Sequence, residues 1–317
     1  MKLHLLLLVA MLAGCGGVSA VPPNMNAAQP PGRAHVGSWM APGAKKLDLL
    51  YVSDYQTNDV DAYSYPGGKL EGVLKGILKD FPLQTGLCSD AAGDVFIPDS
   101  SDSSVLVYAH GAAQLSRRLL DLQEYPYSCA VDPAGGNLAV VNLFSISGAG
   151  GVAIYAHAEG SPKKYSYGFV YEYYFAGYDD RGNLFVDATD DVPSKPFAFV
   201  ELRKGARKLE AITLNQSIAI PGGVGWDGRH VVVGDVRSSH LYRFDISGSV
   251  GTKAGSTQLG RARSVNQFVI AGSSVVGANF EGATVGFWNY PRGGAPAKTI
   301  GSLGEPFGVT LSRAHQM

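Results

Sequence analysis

A unit of about 45 residues recurs six times along the chain and constrains its fold more than any other feature. Its clearest copy is Gly86-Leu87-Cys88-Ser89-Asp90-Ala91-Ala92-Gly93-Asp94-Val95-Phe96-Ile97-Pro98-Asp99. This is a short apolar strand, an Asp-x-x-Gly turn, a second apolar strand and a closing Asp. A third strand, Val105-Leu106-Val107-Tyr108, ends on an aromatic. Asp and Gly suit the tight turn, and the β-branched and aromatic runs suit a pleated, packed surface. The second strands close on Asp54, Asp99, Asn142, Asp187, Asp235 and Asn279, at spacings of 45, 43, 45, 48 and 44 residues. A four-stranded meander of this period is the blade of a propeller. The first copy, from Leu49 to Tyr65, lacks an innermost strand, whereas Pro306-Phe307-Gly308-Val309-Thr310-Leu311 forms a spare one. The expectation is an all-β fold over residues 46–313: a six-bladed β-propeller of four-stranded antiparallel blades. The C-terminal strand would complete blade 1 and leave no gap in the ring. No run shows a 3.6-residue apolar period, so helix should be scarce.

The pattern resembles the six-bladed NHL-type and YVTN-type repeat propellers. The likeness rests on Tyr51-Val52-Ser53-Asp54, on Cys129-Ala130-Val131-Asp132-Pro133-Ala134-Gly135-Gly136-Asn137 and on Pro306-Phe307-Gly308-Val309. These are strand and turn residues, so the resemblance implies a fold and leaves function open.

The N-terminus carries a different signal. Met1-Lys2 is basic, Leu5 to Leu12 is a short apolar run, and Leu12-Ala13-Gly14-Cys15 follows. Residues 1–14 read as a signal peptide, too short to span a bilayer as a permanent helix. Their end resembles the bacterial lipobox, which implies cleavage before Cys15 and diacylglyceryl attachment to it. An ordinary secretory signal with an incidental Cys is the competing reading. Several acyl chains, at about 0.8 kcal/mol per buried CH₂, would anchor the protein stably. No Asp follows Cys15, which resembles the outer-membrane rule of Gram-negative lipoproteins. Residues 15–45, rich in Pro, Ala, Gly and Asn, read as a flexible tether. The expected location is therefore outside the cytoplasm, lipid-anchored to a bacterial cell envelope. A net charge of −1 provides no basic field to attract nucleic acid.

Three cysteines, Cys15, Cys88 and Cys129, are too few for a disulfide-built scaffold. Cys88 lies two residues before the turn Asp90 and Cys129 three before Asp132, on the innermost strands of consecutive blades. That odd offset puts the two thiols on opposite faces of their own sheets. Neighbouring blades pack through opposite faces, so a disulfide is expected, with two buried free thiols as the alternative. An oxidising compartment would let the bond persist.

Two sets of residues are candidates for binding. Asp54, Asp99, Asn142, Asp187, Asp235 and Asn279 occupy equivalent places, either as caps on backbone N–H groups or as a polar ring near the channel. Aromatics gather just before the innermost strands: Phe81, Tyr125, Tyr127, Tyr173, Tyr174, Phe268 and Phe307. In a meander both sets fall on one face, with Tyr127, Tyr174 and Phe307 the leading aromatic candidates. Such a mixture suits a sugar, a peptide or another protein, although packing between blades would also use the aromatics.

Other motifs carry less. Gly223-Val224-Gly225-Trp226-Asp227-Gly228 matches G-x-G-x-x-G, but a strand rather than a helix follows it, so it is a turn and not a dinucleotide site. His110 and His157 occupy the same slot in successive blades, outside the ring, and cannot share a zinc. Asp187, Asp190 and Asp191 form an acidic stretch without a calcium-loop pattern. No G-x-S-x-G or H-E-x-x-H motif occurs. Gluconolactonase-like hydrolases share the architecture, and Gly304-Glu305-Pro306 faintly resembles their first metal-ligand motif; the other ligands are not matched. The leading expectation is a non-catalytic binding module with no cofactor and no catalytic residues. A metal-dependent lactonase, which alone would need a divalent ion, and a structural subunit of an envelope assembly are the alternatives.

Overall fold

Six antiparallel sheets stand around a common centre as the blades of a propeller. The structure, a computed structural model, describes residues 37–78, 84–168, 170–190 and 197–314. Cys15, residues 1–14, Phe81 and Asp191 lie outside the described residues. Blade 1 contains Leu49–Asp54, Asp59–Ser64 and Leu70–Leu74, with Pro306–Ser312 as its innermost strand. Blade 2 contains Cys88–Ser89, Val95–Asp99, Ser104–Tyr108 and Leu115–Leu120. Blade 3 contains Glu124–Val131, Leu138–Ser145, Gly148–Tyr155 and Lys163–Tyr165. Blade 4 contains Glu172–Tyr178, Leu184–Thr189, Ala198–Leu202 and Glu210–Ala211. Blade 5 contains Pro221–Trp226, Val231–Asp235, His240–Ser247 and Val250–Gln258. Blade 6 contains Val265–Ala271, Ser274–Asn279, Thr284–Asn289 and Lys298–Ile300. The helical turns among the described residues are three short 3₁₀ turns, at Ala44–Lys46, Ala156–Ala158 and Phe280–Gly282.

Side chains alternate across each strand, so one strand supplies both of the gaps beside its blade. Val95 and Ile97 pack towards Tyr51 and Leu74 of blade 1, whereas Phe96 packs towards Val140 and Tyr155 of blade 3. The same division continues round the ring. Tyr173 and Val186 lie with Val141, Phe185 with Val231 and Phe244, Val232 with Phe268 and Trp288, and Val276 with Val52 and Val309. Six apolar clusters thus fill six gaps. Second strands are buried on both faces and lose their polar–apolar alternation, as in Leu49–Asp54, where all six residues are buried.

The ring closes as expected. Leu49 pairs with Ser312 and Val52 with Val309. Ser53 Oγ accepts the Gly308 N–H at 2.8 Å and donates to the Thr85 carbonyl at 2.6 Å, tying the closing strand to the entry of blade 2. His110, half-buried rather than outside the ring, places Nδ1 2.6 Å from Ser312 Oγ in the gap between blades 1 and 2. Its place follows from Gly93, whose would-be Cβ sits 3.1 Å from His110 Cβ and 3.2 Å from Ser312 Oγ.

Cys88 and Cys129 form the disulfide, with Cα atoms 5.5 Å apart, between the innermost strands of blades 2 and 3. Two outer edges depart from the four-stranded plan. Trp39–Met40 pairs with Val73 and Gly72 on the outside of blade 1, so this sheet takes in part of the stretch read as tether. Thr213–Leu214, just past the outer strand of blade 4, pairs parallel with Val250 and Gly251 of blade 5. The glycine run at 223–228 is the innermost strand and first turn of blade 5. Gly223 and Gly225 face Phe268 of blade 6, where a Cβ would sit 3.1 and 3.2 Å from its ring. Close packing of the next blade therefore accounts for these glycines.

Candidate binding face

The innermost strands start, and the second strands end, on the same face of the propeller. The six predicted Asp and Asn residues stand there, one per blade, each at most 5% exposed. Asp54 accepts N–H groups from Gly304 at 2.7 Å and from Glu305 at 3.0 Å, and so holds the closing strand. Asp235 accepts from Arg237 N and Ser238 Oγ, and Asn279 Oδ1 from Arg263 N. Asp187 Oδ1 accepts from Phe175 N at 2.7 Å, and Asp99 from Ser101 N at 3.2 Å. Asn142 differs, because its Nδ2 donates to Asp121 Oδ2 at 2.9 Å. Apart from Asn142, these groups accept backbone and side-chain donors at a blade entry or in the turn that follows their own second strand, the capping role open to short polar side chains. Among the described residues no hydrogen bond joins any two of the six.

The aromatics do converge. Tyr127 of blade 3 lies edge-on to Tyr174 of blade 4 at 5.7 Å and to Phe307 of blade 1 at 5.5 Å. Phe175 stacks on Phe307 at 6.0 Å, and Phe280 of blade 6 meets Phe307 edge-on at 6.3 Å. Offset and edge-on contacts at these distances are the favoured aromatic geometries. The rings floor the centre of this face. Phe280 and Phe175 belong to that floor although the strand-entry pattern did not single them out. Phe280 follows its second strand instead of preceding an innermost one. Tyr173 and Phe268, by contrast, turn into the gaps between blades.

Gln267 ties the innermost strands together. Its Oε1 accepts the N–H groups of Leu87 at 2.8 Å and Val309 at 2.9 Å, and its Nε2 donates to the Leu87 carbonyl at 2.8 Å. One buried amide thus joins blades 6, 2 and 1.

The surroundings of the floor are apolar and acidic. Five large hydrophobic side chains are exposed on this face: Leu120, Leu122, Ile146, Tyr171 and Ile220, with Leu122 at 63% and Ile146 at 66%. The Ile146 N–H donates to the Gln123 carbonyl at 2.9 Å, which fixes the two loops side by side. Glu172 accepts the Tyr174 hydroxyl at 2.6 Å, and Lys164 reaches Glu124 at 2.8 Å. Burial pushes the Asp187 carboxyl well above the usual carboxylate range and pushes Asp121 up to about 6. Burial, followed by the nearby Tyr174, Asp187 and Glu172, likewise raises the Tyr127 phenol. At the blade 1 entry the Glu305 backbone is held on both sides: its N–H donates to Asp54 Oδ1 and its carbonyl accepts the Tyr55 N–H. Among the described residues no three His, Cys, Asp or Glu side chains gather to hold a metal ion.

No protein-family model and no curated protein matches the sequence. Among solved structures 1136 chains match in fold, a breadth in keeping with an architecture that hosts many functions. One of them, a chain from a crystal structure of a nidogen/laminin complex, is similar over 85% of this chain and 100% of its own. The TM-score is 0.67 and the identity 11%, so the likeness shows the β-propeller fold alone.

Proposed function

We propose that this chain is a membrane-anchored, extracytoplasmic β-propeller that binds a protein partner through its aromatic face. The observation that carries the reading is the grouping of exposed Leu120, Leu122, Ile146, Tyr171 and Ile220 on the same face as the Tyr127–Tyr174–Phe307 floor. An apolar patch with a polar rim is the usual anatomy of a protein contact. Covering a Leu or Ile side chain is worth about 1.5–3 kcal/mol, so Leu122 and Ile146 are natural anchors. Their loops are already fixed against each other, which lowers the cost of ordering them on binding. The anchoring part rests on Leu12-Ala13-Gly14-Cys15, and the Cys88–Cys129 bond suits an oxidising compartment.

Site-specific photo-crosslinking in intact cells tests the binding. A crosslinker at Ile146 should yield a discrete adduct, lost in Leu122→Asp, whereas one at Leu115, on the opposite edge, should not. Equal adducts from both positions would refute a dedicated face. For the anchor, Cys15→Ala should move the protein from the membrane to the soluble fraction. Unchanged fractionation, with no acyl mass on the mature N-terminus, would overturn that part alone.

A further inference from the structure

A second set of residues lies on the other face, where the turns between first and second strands project. Three of these turns share one bond, in which the turn Asp accepts the backbone N–H two residues on. Asp132 accepts from Ala134 at 2.9 Å, Asp179 from Arg181 at 2.9 Å and Asp227 from Arg229 at 3.0 Å. The turn asks only for that N–H, and Ala134 supplies it without a functional side chain. Yet in blades 4 and 5, and at the same slot, the donor is an arginine.

Both arginines line one cleft between blades 4 and 5, with a volume of about 390 Å³. Its apolar wall includes Trp226, Phe244 and Val231. The charges in the cleft are not equivalent. Asp179 is occupied by turn N–H groups and by Asn183 Nδ2 at 2.8 Å. Glu201 is paired with Arg203 at 3.1 Å, and Arg203 Nη2 also donates to the Gly248 carbonyl at 3.2 Å, bridging the two blades. Asp245 is 62% exposed and lies 3.7 Å from His230 Nε2. Among the described residues, neither the Arg181 nor the Arg229 guanidinium has a hydrogen-bond or ion-pair partner. Among the described residues the Trp226 indole N–H, in the same wall, is likewise buried without an acceptor.

We infer that this cleft binds a small organic oxyanion, a carboxylate or a phosphate ester. Arg181 and Arg229 hold the charged group, and the carbon skeleton lies along Trp226 and Phe244. Guanidinium forks match carboxylate and phosphate oxygens in pairs of parallel hydrogen bonds, which an ammonium does not. The cleft volume falls in the range of small-molecule sites, which combine an apolar wall with a few convergent polar groups. The site is on the face opposite the proposed protein-binding surface, so either reading stands or falls without the other.

Isothermal titration of the intact protein with glucuronate, inorganic phosphate and neutral glucose tests the inference. At least one anion should bind saturably in the millimolar range or tighter, and glucose should not. Glucuronate alone identifies an organic acid; phosphate alone identifies a phosphate ester. Arg181→Gln and Arg229→Gln should each weaken binding about tenfold, the effect of losing roughly 1.4 kcal/mol, and together abolish it. Arg181→Lys should recover only part, because it restores charge without the fork. Melting temperatures should not change, since the turn N–H is kept. Equal binding of glucose, no saturable anion binding, or anion binding unchanged in the double variant would overturn the proposal.

Discussion

Gln267 shows how much a single side chain can organise. Replacing it with Leu keeps the bulk but leaves the N–H and carbonyl of Leu87 and the N–H of Val309 without partners. Each buried orphan costs about 1–3 kcal/mol, so Gln267→Leu should lower unfolding stability by roughly 3 kcal/mol or more in urea titration; a loss under about 0.5 kcal/mol would show that the amide is dispensable. Asp121 makes a pH-dependent contribution. Burial raises its carboxyl from 3.8 to about 6, so the fold prefers the neutral acid. That preference favours folding fully below about pH 4 and is lost as pH rises through 6. Asp121→Asn mimics the neutral acid and leaves Lys164 its Glu124 partner. The variant should gain stability over the wild type between pH 4 and 7, by on the order of 2–3 kcal/mol at the upper end. Melting curves that stay parallel across that range would contradict it. The capping Asp and Asn residues were legible in the sequence because their turns demand them. Gln267 was not, since a polar letter in the strand Val265–Ala271 does not reveal that its partners lie on two other blades.

The disulfide was legible at the level of elements, because the repeat fixes both the strand and the parity of each Cys. It closes a loop of 41 residues, for which chain-entropy reasoning gives about 4 kcal/mol. The double variant Cys88→Ala, Cys129→Ala should therefore lose about 2–4 kcal/mol, as should the reduced wild type. A variant as stable as the oxidised protein would show that packing of Phe96, Val140 and Tyr155 alone fixes this gap. The added edges were illegible for a different reason. Trp39–Met40 and Thr213–Leu214 are two residues each, too short for any alternation, and their pairing depends on which outer strand is within reach. The exposed apolar side chains were missed likewise: Leu122 and Ile146 sit in turns, where no hydrophobic period marks them.

At the scale of the whole molecule, stability rests on closure. Every gap holds one apolar cluster shared by two blades, so weakening one blade exposes both of its neighbours. Removing residues 306–317 would strip Phe307, Val309 and Leu311 from the ring and leave Ser53 without the Gly308 N–H that it accepts. The truncated chain should lose cooperative unfolding and become protease-sensitive throughout. Retention of a single sharp transition near the full-length melting temperature would refute closure as the stabilising device.

The closing strand also sets a schedule. Leu49–Asp54 leaves the ribosome well before its partner Pro306–Ser312, which follows five further blades. At synthesis rates of about 5–20 residues per second, blade 1 waits roughly 12–50 s with one strand edge unpaired. For that interval the nascent chain presents a β edge open to any extended segment, and a chaperone has its opportunity to engage. Once Ser312 arrives, that edge is gone and the opportunity ends.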